Sequence, residues 1–575
     1  MKSIRQVFEW SVIYMKEITV LIAGRRGVEL DETGLLVSKL LSKIGYQIYM
    51  YNDIPSLIIG GHQFVLVRGA NEKISAHTDK VDIVLAHNQE AIDKHVDRFK
   101  DNTIIISDMD KVKVEDLKLT NIGVSLKDII EDKTMMIQLG GICLVAGLCK
   151  ALKIDLSILE EIISKNNKLI EQKLKVAKIA YEQINVENNK SIEEKQILIK
   201  EQSINNQLPI LSGSDAIGLG LLKAGLEAYV AYPMTPTSPI LEFLAAKEKE
   251  LGLHIVLPES EIAVLLMALG YSYMGVRNAV GTSGGGFSLM VEALGLAGQA
   301  ELPAVIVMGQ RSGPSTGMPT YTAQTDLNFI LNASQGEFPR FIAAPGDAEE
   351  AYYWSGVAMN KAWKYQMPAF ILTDKTLGLG YYSFDESLVP EVKVEEARLW
   401  DKQGQYARYK MTNDGISPIA FPSIEGQAVK ATSYIHDEYG ITTENPKTAK
   451  ALADKLIMKE KELAKDLEDY ETVKVYGEGS TAMLCWGTNK GVCLEVARKY
   501  DIKVIQMIVM SPFPTKSLTR ALEGVEKVIN VECNAKGQLA ILLKQNGFNV
   551  DEMILKYDGR PFSIEDLDLE VKKVM

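Results

Sequence analysis

The sequence predicts an α/β protein made of three open-sheet domains, and two observations support this prediction. Short apolar runs alternate with helix-period segments along most of the 575 residues. Apolar runs of about four to eight residues between Gly, Pro, Ser and Thr are typical of buried strands, and strands alternating with helices form open sheets. The chain is also too long for one ordinary domain, so several such units are expected.

Changes in composition place the domain boundaries. The stretch MKSIRQVFEWSVIYM mixes charges into its apolar part, unlike a signal peptide, and a charged segment rich in Asn and Glu follows the first domain. The predicted segments are an N-terminal extension (1–16), a first domain (17–190), a linker (191–207), a second domain (208–400), an irregular and helical connecting segment (401–471) and a last domain (472–575).

Composition excludes several functional classes. The formal net charge is −12 and no basic run with interleaved aromatics occurs, which argues against nucleic-acid binding. The five cysteines form no CxxC pair, so we expect reduced thiols in a cytoplasmic protein and no metal-ligand set in this chain. The most apolar segment, KTMMIQLGGICLVAGLCKAL, is interrupted by glycines and is predicted to be a buried helix rather than a membrane span.

The stretch 229–320 contains polar or glycine-rich residues after each of four predicted strands. These strand ends are 235–238, 259–261, 282–286 and 310–320. In open α/β sheets, ligands bind at the carboxyl ends of the strands. Four such loops in under a hundred residues therefore predict a ligand crevice.

Glu261 lies in the first turn of the predicted helix ESEIAVLLMALG, beside a glycine-rich strand end. Val264, Leu265 and Ala268 fall on the same helix face, which should pack inward. A carboxylate on that face is costly unless it is paired or functional. The alternative is an ordinary acid that is favoured near a helix N-terminus.

Two further features of the crevice have a functional and a structural interpretation. Arg311 follows the strand AVIVMGQ, where its guanidinium could clamp a carboxylate through both oxygens or form a structural ion pair. The stretch TSGGGF offers backbone N–H groups to an anion or a flat ring, or simply allows close packing. In the last domain Glu532, Asn534 and Gln538 are expected either to cap a helix or to contact a partner chain.

Several motifs occur in one order: AYPMTPTSP, PESEIAVLLMALG, GTSGGGFSLM, GQRSGPSTGMPT and EFPRFIAAPGD, then DGISP, HDEYG, SPFP and VECNAKGQLA. Together they resemble the alpha subunit of the 2-oxoacid:ferredoxin oxidoreductases over about residues 208–575. Residues 17–190 resemble the family's gamma domain, fused in front, although GRRGVEL departs from its glycine-rich loop. The resemblance implies that the central domain is a thiamine-diphosphate pyrimidine-binding fold and that the last is transketolase C-terminal-like.

The resemblance also implies an activity and residue roles. The family converts a 2-oxoacid, coenzyme A and oxidised ferredoxin to acyl-coenzyme A, CO2 and reduced ferredoxin. By match to the motifs, Glu261 hydrogen-bonds the pyrimidine nitrogen of thiamine diphosphate, Arg311 holds the substrate carboxylate, and Thr235 touches substrate or cofactor. The cofactor-binding residues implied in this way are Tyr232, Pro233, Thr235, Glu261, Thr282, Ser283 and Gly284.

The family's GDG-type motif and cluster cysteines are not found in this sequence. In the family they belong to the beta subunit, so the resemblance implies a heterodimer, or a dimer of heterodimers, that shares thiamine diphosphate between its chains. Mg2+ and a 4Fe–4S cluster are then expected on the beta subunit. The implied substrate is 2-oxoglutarate or a broad range of 2-oxoacids.

Two alternatives remain open at this point. One is a thiamine-dependent, NAD-linked 2-oxoacid dehydrogenase component, against which the fused front domain and GQRSGPSTG speak. The other is a non-catalytic assembly subunit of the same fold, against which the presence of Glu261 speaks.

Overall fold

The computed structural model describes residues 17–56, 60–114, 117–165, 168–184 and 207–575. The chain divides into two compact units, Met1–Ile210 and Leu211–Met575. The predicted extension, 1–16, and residues 191–206 of the predicted linker lie outside the described residues.

The first unit is built on a mixed sheet. Its strands are β1 (Glu17–Arg25), β2 (Gln47–Asp53), β3 (His62–Ala70), β4 (Val81–Ala86), β5 (Phe99–Asp108) and β6 (Thr120–Val124). They lie in the order β6-β5-β4-β1-β3-β2. Strand β3 runs antiparallel to β1 and β2, whereas β4 is parallel to β1 and β5, and β5 is parallel to β6.

The helices of this unit are α1 (Leu30–Lys43), α2 (Glu90–Asp93), α3 (Leu126–Ile129), α4 (Met136–Leu152), α5 (Leu156–Ser164) and α6 (Ile170–Gln183). Lys133–Leu152, which contains α4, is the one helical stretch in the described parts of the chain that is long and apolar enough to cross a membrane. Within the fold 72% of the most apolar part of this stretch is buried, as the sequence predicts for a core helix.

The second unit begins with a seven-stranded sheet in the order β18-β12-β13-β11-β10-β8-β9, in which β18 is Val509–Ser511 from the last part of the chain. The strands from this part of the chain are β7 (Ile210–Ser212), β8 (Ala228–Ala231), β9 (His254–Val256), β10 (Asn278–Ser283), β11 (Ala304–Gln310), β12 (Phe341–Ala343), β13 (Pro368–Asp374) and β14 (Tyr381–Ser383). Neighbours from β9 to β12 are all parallel, so the carboxyl ends of β8, β10 and β11 lie at one edge.

The connecting helices are α7 (Gly213–Lys223), α8 (Ser238–Leu251), α9 (Glu261–Tyr273), α10 (Gly284–Gln299), α11 (Leu327–Asn332), α12 (Ala348–Tyr365), α13 (Lys375–Leu379) and α14 (Pro446–Asp466). Two of these helices begin at N-terminal capping residues. Ser212 and Asp215 form a capping box at α7, and Asp347 accepts a hydrogen bond from the Glu350 N–H at α12.

A five-stranded sheet in the order β15-β17-β16-β19-β20 closes the chain. Its elements, with β18, are β15 (Val473–Tyr476), β16 (Thr481–Trp486), α15 (Asn489–Ala497), β17 (Lys503–Met507), β18 (Val509–Ser511), α16 (Thr515–Ala521), β19 (Lys527–Glu532), α17 (Gln538–Gln545), β20 (Glu552–Leu555) and α18 (Ile564–Val574). The apolar run IKVIQMIVM contributes to two strands, which are separated at Ile508. Its second half, β18, pairs antiparallel with β12 of the other sheet.

The polar face of helix α14 is not fully exposed to solvent. Lys455 and Lys459 are both buried, and each forms an ion pair with the buried carboxylate of Glu301. The apolar side chains Leu452 and Leu463 of the same helix are also buried.

Candidate active site

Glu261 is the first residue of α9, and its carboxylate side chain is buried rather than directed to water. The residue is only 5% exposed. Val264, Leu265 and Ala268 on the same face are also buried, which confirms the inward face that the sequence predicts. Glu261 Oε1 has no hydrogen-bond partner among the described residues. Leaving a buried polar group unpaired costs about 1–3 kcal/mol, and more for a charged group.

The glycine-rich start of α10 forms the floor beneath this carboxylate. A Cβ placed on Gly286 would lie 2.7 Å from Glu261 Oε1 and 2.4 Å from Thr282 Oγ1. The absence of a side chain at Gly286 therefore lets the carboxylate and the hydroxyl lie directly against the helix start. Thr282 is itself fully buried at the end of β10.

The first turn of α10 also carries free donors. The first N–H groups of a helix have no partner within the helix. Ser283 occupies the N-cap position without capping the helix, because its hydroxyl contacts Met234 Sδ at 2.6 Å instead. The N-terminus of α10 thus presents backbone donors and the positive end of the helix dipole beside Glu261.

Arg311, at the end of β11, lies next to the loop that follows β8. Its Nη1 donates a hydrogen bond to the carbonyl oxygen of Thr235 over 3.1 Å, and the Thr235–Pro236 peptide is cis. A Cβ on Gly309 would lie 2.8 Å from both Pro236 and Thr237, so glycine allows this loop to rest on the sheet. The structure thereby brings Arg311 and Thr235 together.

The remaining predicted cofactor-binding residues occupy different positions. Ser283 and Gly284 lie at the junction of β10 and α10. Tyr232 and Pro233 follow β8 on the exposed rim, where Tyr232 is 39% exposed. The roles of all these residues remain predictions.

Asp326 is a site residue that the motifs did not single out. A Cβ on Gly284 would lie 2.7 Å from Asp326 Oδ1, so its carboxylate rests against the start of α10. Burial raises the pKa of Asp326 to about 6, and the nearby charge of Arg311 partly offsets this rise. Burial likewise lowers the pKa of Arg311, and Asp326 opposes that effect. The only sequence signal for Asp326 is its place before the short apolar helix α11.

The outer face of α9 is apolar and uncovered in this chain. Ile262, Leu266 and Met267 are 52%, 40% and 46% exposed, and Leu289 of α10 is 49% exposed. Contiguous exposed apolar side chains of this kind mark interaction surfaces. Ile262 follows Glu261 directly in α9, so this exposed face begins at the residue next to the one that carries the buried carboxylate.

The polar residues Glu532 and Asn534 of the last domain have a structural role. Glu532 is fully buried and accepts hydrogen bonds from the backbone N–H groups of Leu539 and Ala540 at the start of α17. Asn534 donates to the same carboxylate. Of the two interpretations left open, the structure supports helix capping for Glu532 and Asn534. Gln538 instead accepts a hydrogen bond from the Asn328 N–H and donates one to the Thr325 carbonyl.

Two family models match the chain. One is described as "Pyruvate flavodoxin/ferredoxin oxidoreductase, thiamine diP-bdg" and matches residues 219–455, and the other as "Pyruvate ferredoxin/flavodoxin oxidoreductase" and matches residues 19–183. The alpha subunit of 2-oxoacid:ferredoxin oxidoreductase from Sulfolobus sp is 30% identical over 96% of this chain and 96% of its own length. The 2-oxoglutarate synthase subunit KorA of Methanocaldococcus jannaschii is 29% identical over 64% of this chain and 99% of its own.

A solved structure agrees with these relatives. The 2-oxoglutarate:ferredoxin oxidoreductase of Magnetococcus marinus, with 2-oxoglutarate, coenzyme A and succinyl-CoA bound, superposes with a TM-score of 0.87 at 26% identity. The match covers 97% of this chain and 99% of that one. The fold is thus that of an oxidoreductase subunit with a thiamine-diphosphate-binding domain. The chain belongs to the 2-oxoacid:ferredoxin oxidoreductase alpha-subunit family, which confirms the resemblance seen in its motifs.

The residues present fit the pyrimidine ring of thiamine diphosphate. That ring requires a carboxylate partner for a ring nitrogen, and the buried, unpaired Glu261 Oε1 offers one. For a metal ion, the described ranges contain no group of three or more His, Cys, Asp or Glu side chains that could hold one.

Proposed function

We propose that this chain supplies the pyrimidine-binding half of a shared thiamine site, in an enzyme that oxidatively decarboxylates a 2-oxoacid to acyl-coenzyme A and CO2. The observation that carries this proposal is the carboxylate of Glu261, which is buried against Gly286 with Oε1 unpaired. A protein keeps such a group when a ligand or partner completes it.

Glu261 holds a proton between its carboxylate and the pyrimidine nitrogen. Thiamine diphosphate, when bound, supplies the electron sink that allows CO2 to leave. The apolar face formed by Val264, Leu265 and Ala268 keeps Glu261 in place and excludes water from one side. Proton transfer by a positioned acid is typically worth about 10²–10⁴-fold in rate.

Arg311 binds the substrate carboxylate, and Thr235 contacts substrate or cofactor beside it. The 3.1 Å hydrogen bond from Arg311 Nη1 to the Thr235 carbonyl fixes one end of the guanidinium. The rest of the planar fork is left for a carboxylate, which it binds with two parallel hydrogen bonds. The free N–H groups of Gly284 and its neighbours face the same crevice from the floor.

A second polypeptide, the beta subunit, completes the site. The exposed apolar residues Ile262, Leu266 and Met267 beside Glu261 are the surface that this chain offers it. The beta subunit contributes the diphosphate and Mg2+ site and a 4Fe–4S cluster, and ferredoxin accepts the electrons. We place the complex in the cytoplasm, with 2-oxoglutarate or a range of 2-oxoacids as substrate and coenzyme A as acyl acceptor.

The test compares the chain alone with the chain coexpressed with its beta subunit. The isolated chain is expected to show no coenzyme A-dependent decarboxylation, and the complex is expected to reduce ferredoxin but not NAD. Robust activity of the isolated chain would contradict the shared site. Activity of the complex with NAD alone would favour the NAD-linked alternative.

A further inference from the structure

Asp326 is a second carboxylate of the crevice, on the side of the glycine floor opposite Glu261. Its Oδ1 and Oδ2 would lie 2.7 and 3.2 Å from a Cβ on Gly284, just as Glu261 lies against Gly286. The backbone of Asp326 is fixed, because its N–H donates to Gln310 Oε1 over 3.1 Å and its carbonyl accepts from the Ile330 N–H. The main chain that carries this carboxylate is therefore fixed.

The side chain of Asp326 makes no hydrogen bond within the described part of the chain. It occupies the N-cap position of α11 without capping it. Arg311, at the end of β11, is the charged group that acts on it, and Glu261 lies across the glycine floor. The contacting residues Gly284 of α10 and Gln310 of β11 are uncharged. Asp326 and Arg311 are thus opposite charges that act on each other across the crevice without a direct ion pair.

This pairing changes when a substrate arrives. If a substrate carboxylate binds Arg311, as proposed above, one cation then faces two anions in a partly buried place. Like charges that share a site raise the pKa of the group that can take up a proton. Burial raises the pKa of Asp326 to about 6, so this carboxylate is the group at the site that can take up a proton.

We infer that Asp326 is a positioning residue that balances the charge of Arg311 in the empty site and takes up one solvent proton when a substrate carboxylate binds there. An O–H bond forms on Asp326, so the charges of Arg311 and the substrate alone remain and cancel. When the carboxylate leaves as CO2, the proton returns to solvent and Asp326 again balances Arg311. This inference rests on the proposed role of Arg311.

The uptake of a proton on binding determines how the affinity for the substrate changes with pH. Well below the pKa of about 6, Asp326 is already protonated before the substrate binds, so binding takes up little or no proton there. Above pH 6 binding requires a proton, and the KM for the 2-oxoacid rises by up to about tenfold per pH unit. An Asn at this position stays neutral, so its KM is independent of pH over the same range.

The experiment is calorimetry of the assembled alpha–beta complex with an unreactive probe. The probe is the 2-hydroxy acid that corresponds to the better 2-oxoacid substrate, either 2-hydroxyglutarate or lactate. Titrations at pH 7 in phosphate and in Tris, whose ionisation heats differ, count the protons exchanged. The wild type is expected to take up roughly half a proton or more. Asp326→Asn, or Asp326→Ser if the Asn variant does not fold, is expected to take up none and to bind several-fold more tightly. Asp326→Glu is expected to retain the uptake.

The outcomes separate this inference from the proposed function. No proton uptake by the wild type, or the same uptake by Asp326→Asn, overturns the inference. Arg311→Met is the companion variant, because it removes the cation but not the acid. Unchanged probe binding by Arg311→Met would instead overturn the proposed role of Arg311. If Arg311→Met loses probe binding and the wild type takes up no proton, the proposed function stands and only the inference about Asp326 is rejected.

Discussion

The carboxylate of Glu261 lies against the main chain of Gly286, with Oε1 only 2.7 Å from the point where a Cβ would stand. A Gly→Ala change within a helix normally stabilises a protein by about 0.5–1 kcal/mol. At Gly286 the new methyl group would displace Glu261 and Thr282, so we expect Gly286→Ala to bring no such gain and to lower turnover of the complex at least tenfold, roughly the cost of a misplaced catalytic group. Steady-state decarboxylation rates and thermal unfolding measure the two effects.

Gly270→Ala is the matched control for this variant. Gly270 lies in α9, and a Cβ there would meet no atom within 4 Å. We expect the isolated chain to gain the ordinary helical increment of about 0.5–1 kcal/mol. Full activity of the complex with Gly286→Ala would show that the contact between Glu261 and Gly286 has no functional role.

The first unit is predicted to lose stability in acid because of its buried histidines. His95 Nε2 lies 2.8 Å from His62 Nε2, and burial, aided by the positive charge of Arg98, lowers the pKa of His95 to about 3. In the unfolded chain, His95 binds a proton below the ordinary histidine pKa of about 6.5, whereas in the folded chain it stays neutral until the pH approaches 3. Stability should therefore fall as pH decreases from 6.5 towards 3, by up to about 1.4 kcal/mol per pH unit for each such histidine.

Hydrogen exchange of β3 amides at pH 7, 6 and 5 would measure this loss within the first unit. His95→Gln should reduce the slope, and His254→Gln should leave it unchanged, because His254 is exposed on β9 in the second unit. An identical slope in the wild type and His95→Gln would contradict the assignment.

The buried ion cluster of α14 gives a stability prediction. Glu301 binds both Lys455 and Lys459, and all three residues are at most 3% exposed. Glu301→Gln leaves two buried ammonium groups without their anion, which costs about 3–5 kcal/mol. Denaturant unfolding should show this loss. Lys450→Ala removes only an exposed pair with Asp454 on the same helix and should cost at most about 0.5 kcal/mol; equal losses would refute the argument.

Local patterns predict much of this site. The spacing of Val264, Leu265 and Ala268 after Glu261 places the carboxylate inward, and the glycine run after β10 predicts the floor. These signals depend on neighbours within a few residues, so the sequence contains them directly.

Features that depend on distant partners could not be predicted. Asp326 belongs to the site only because the fold brings it to Gly284, and nothing in TAQTDL marks that contact. Lys455 and Lys459 resemble solvated lysines until the chain places them against Glu301, about 150 residues earlier in the sequence. The break between β17 and β18 likewise depends on β12, which recruits the second half of an apolar run.

The most direct test is Glu261→Gln in the complex of this chain with its beta subunit, with Glu259→Gln, an exposed neighbour, as control. The change keeps the size of the side chain and removes its ability to carry the proton. We predict that coenzyme A-dependent decarboxylation falls on the order of a hundredfold or more, that the thermal midpoint stays unchanged, and that Glu259→Gln keeps its rate. Wild-type turnover by Glu261→Gln would contradict the central claim that this buried carboxylate acts on the thiamine ring.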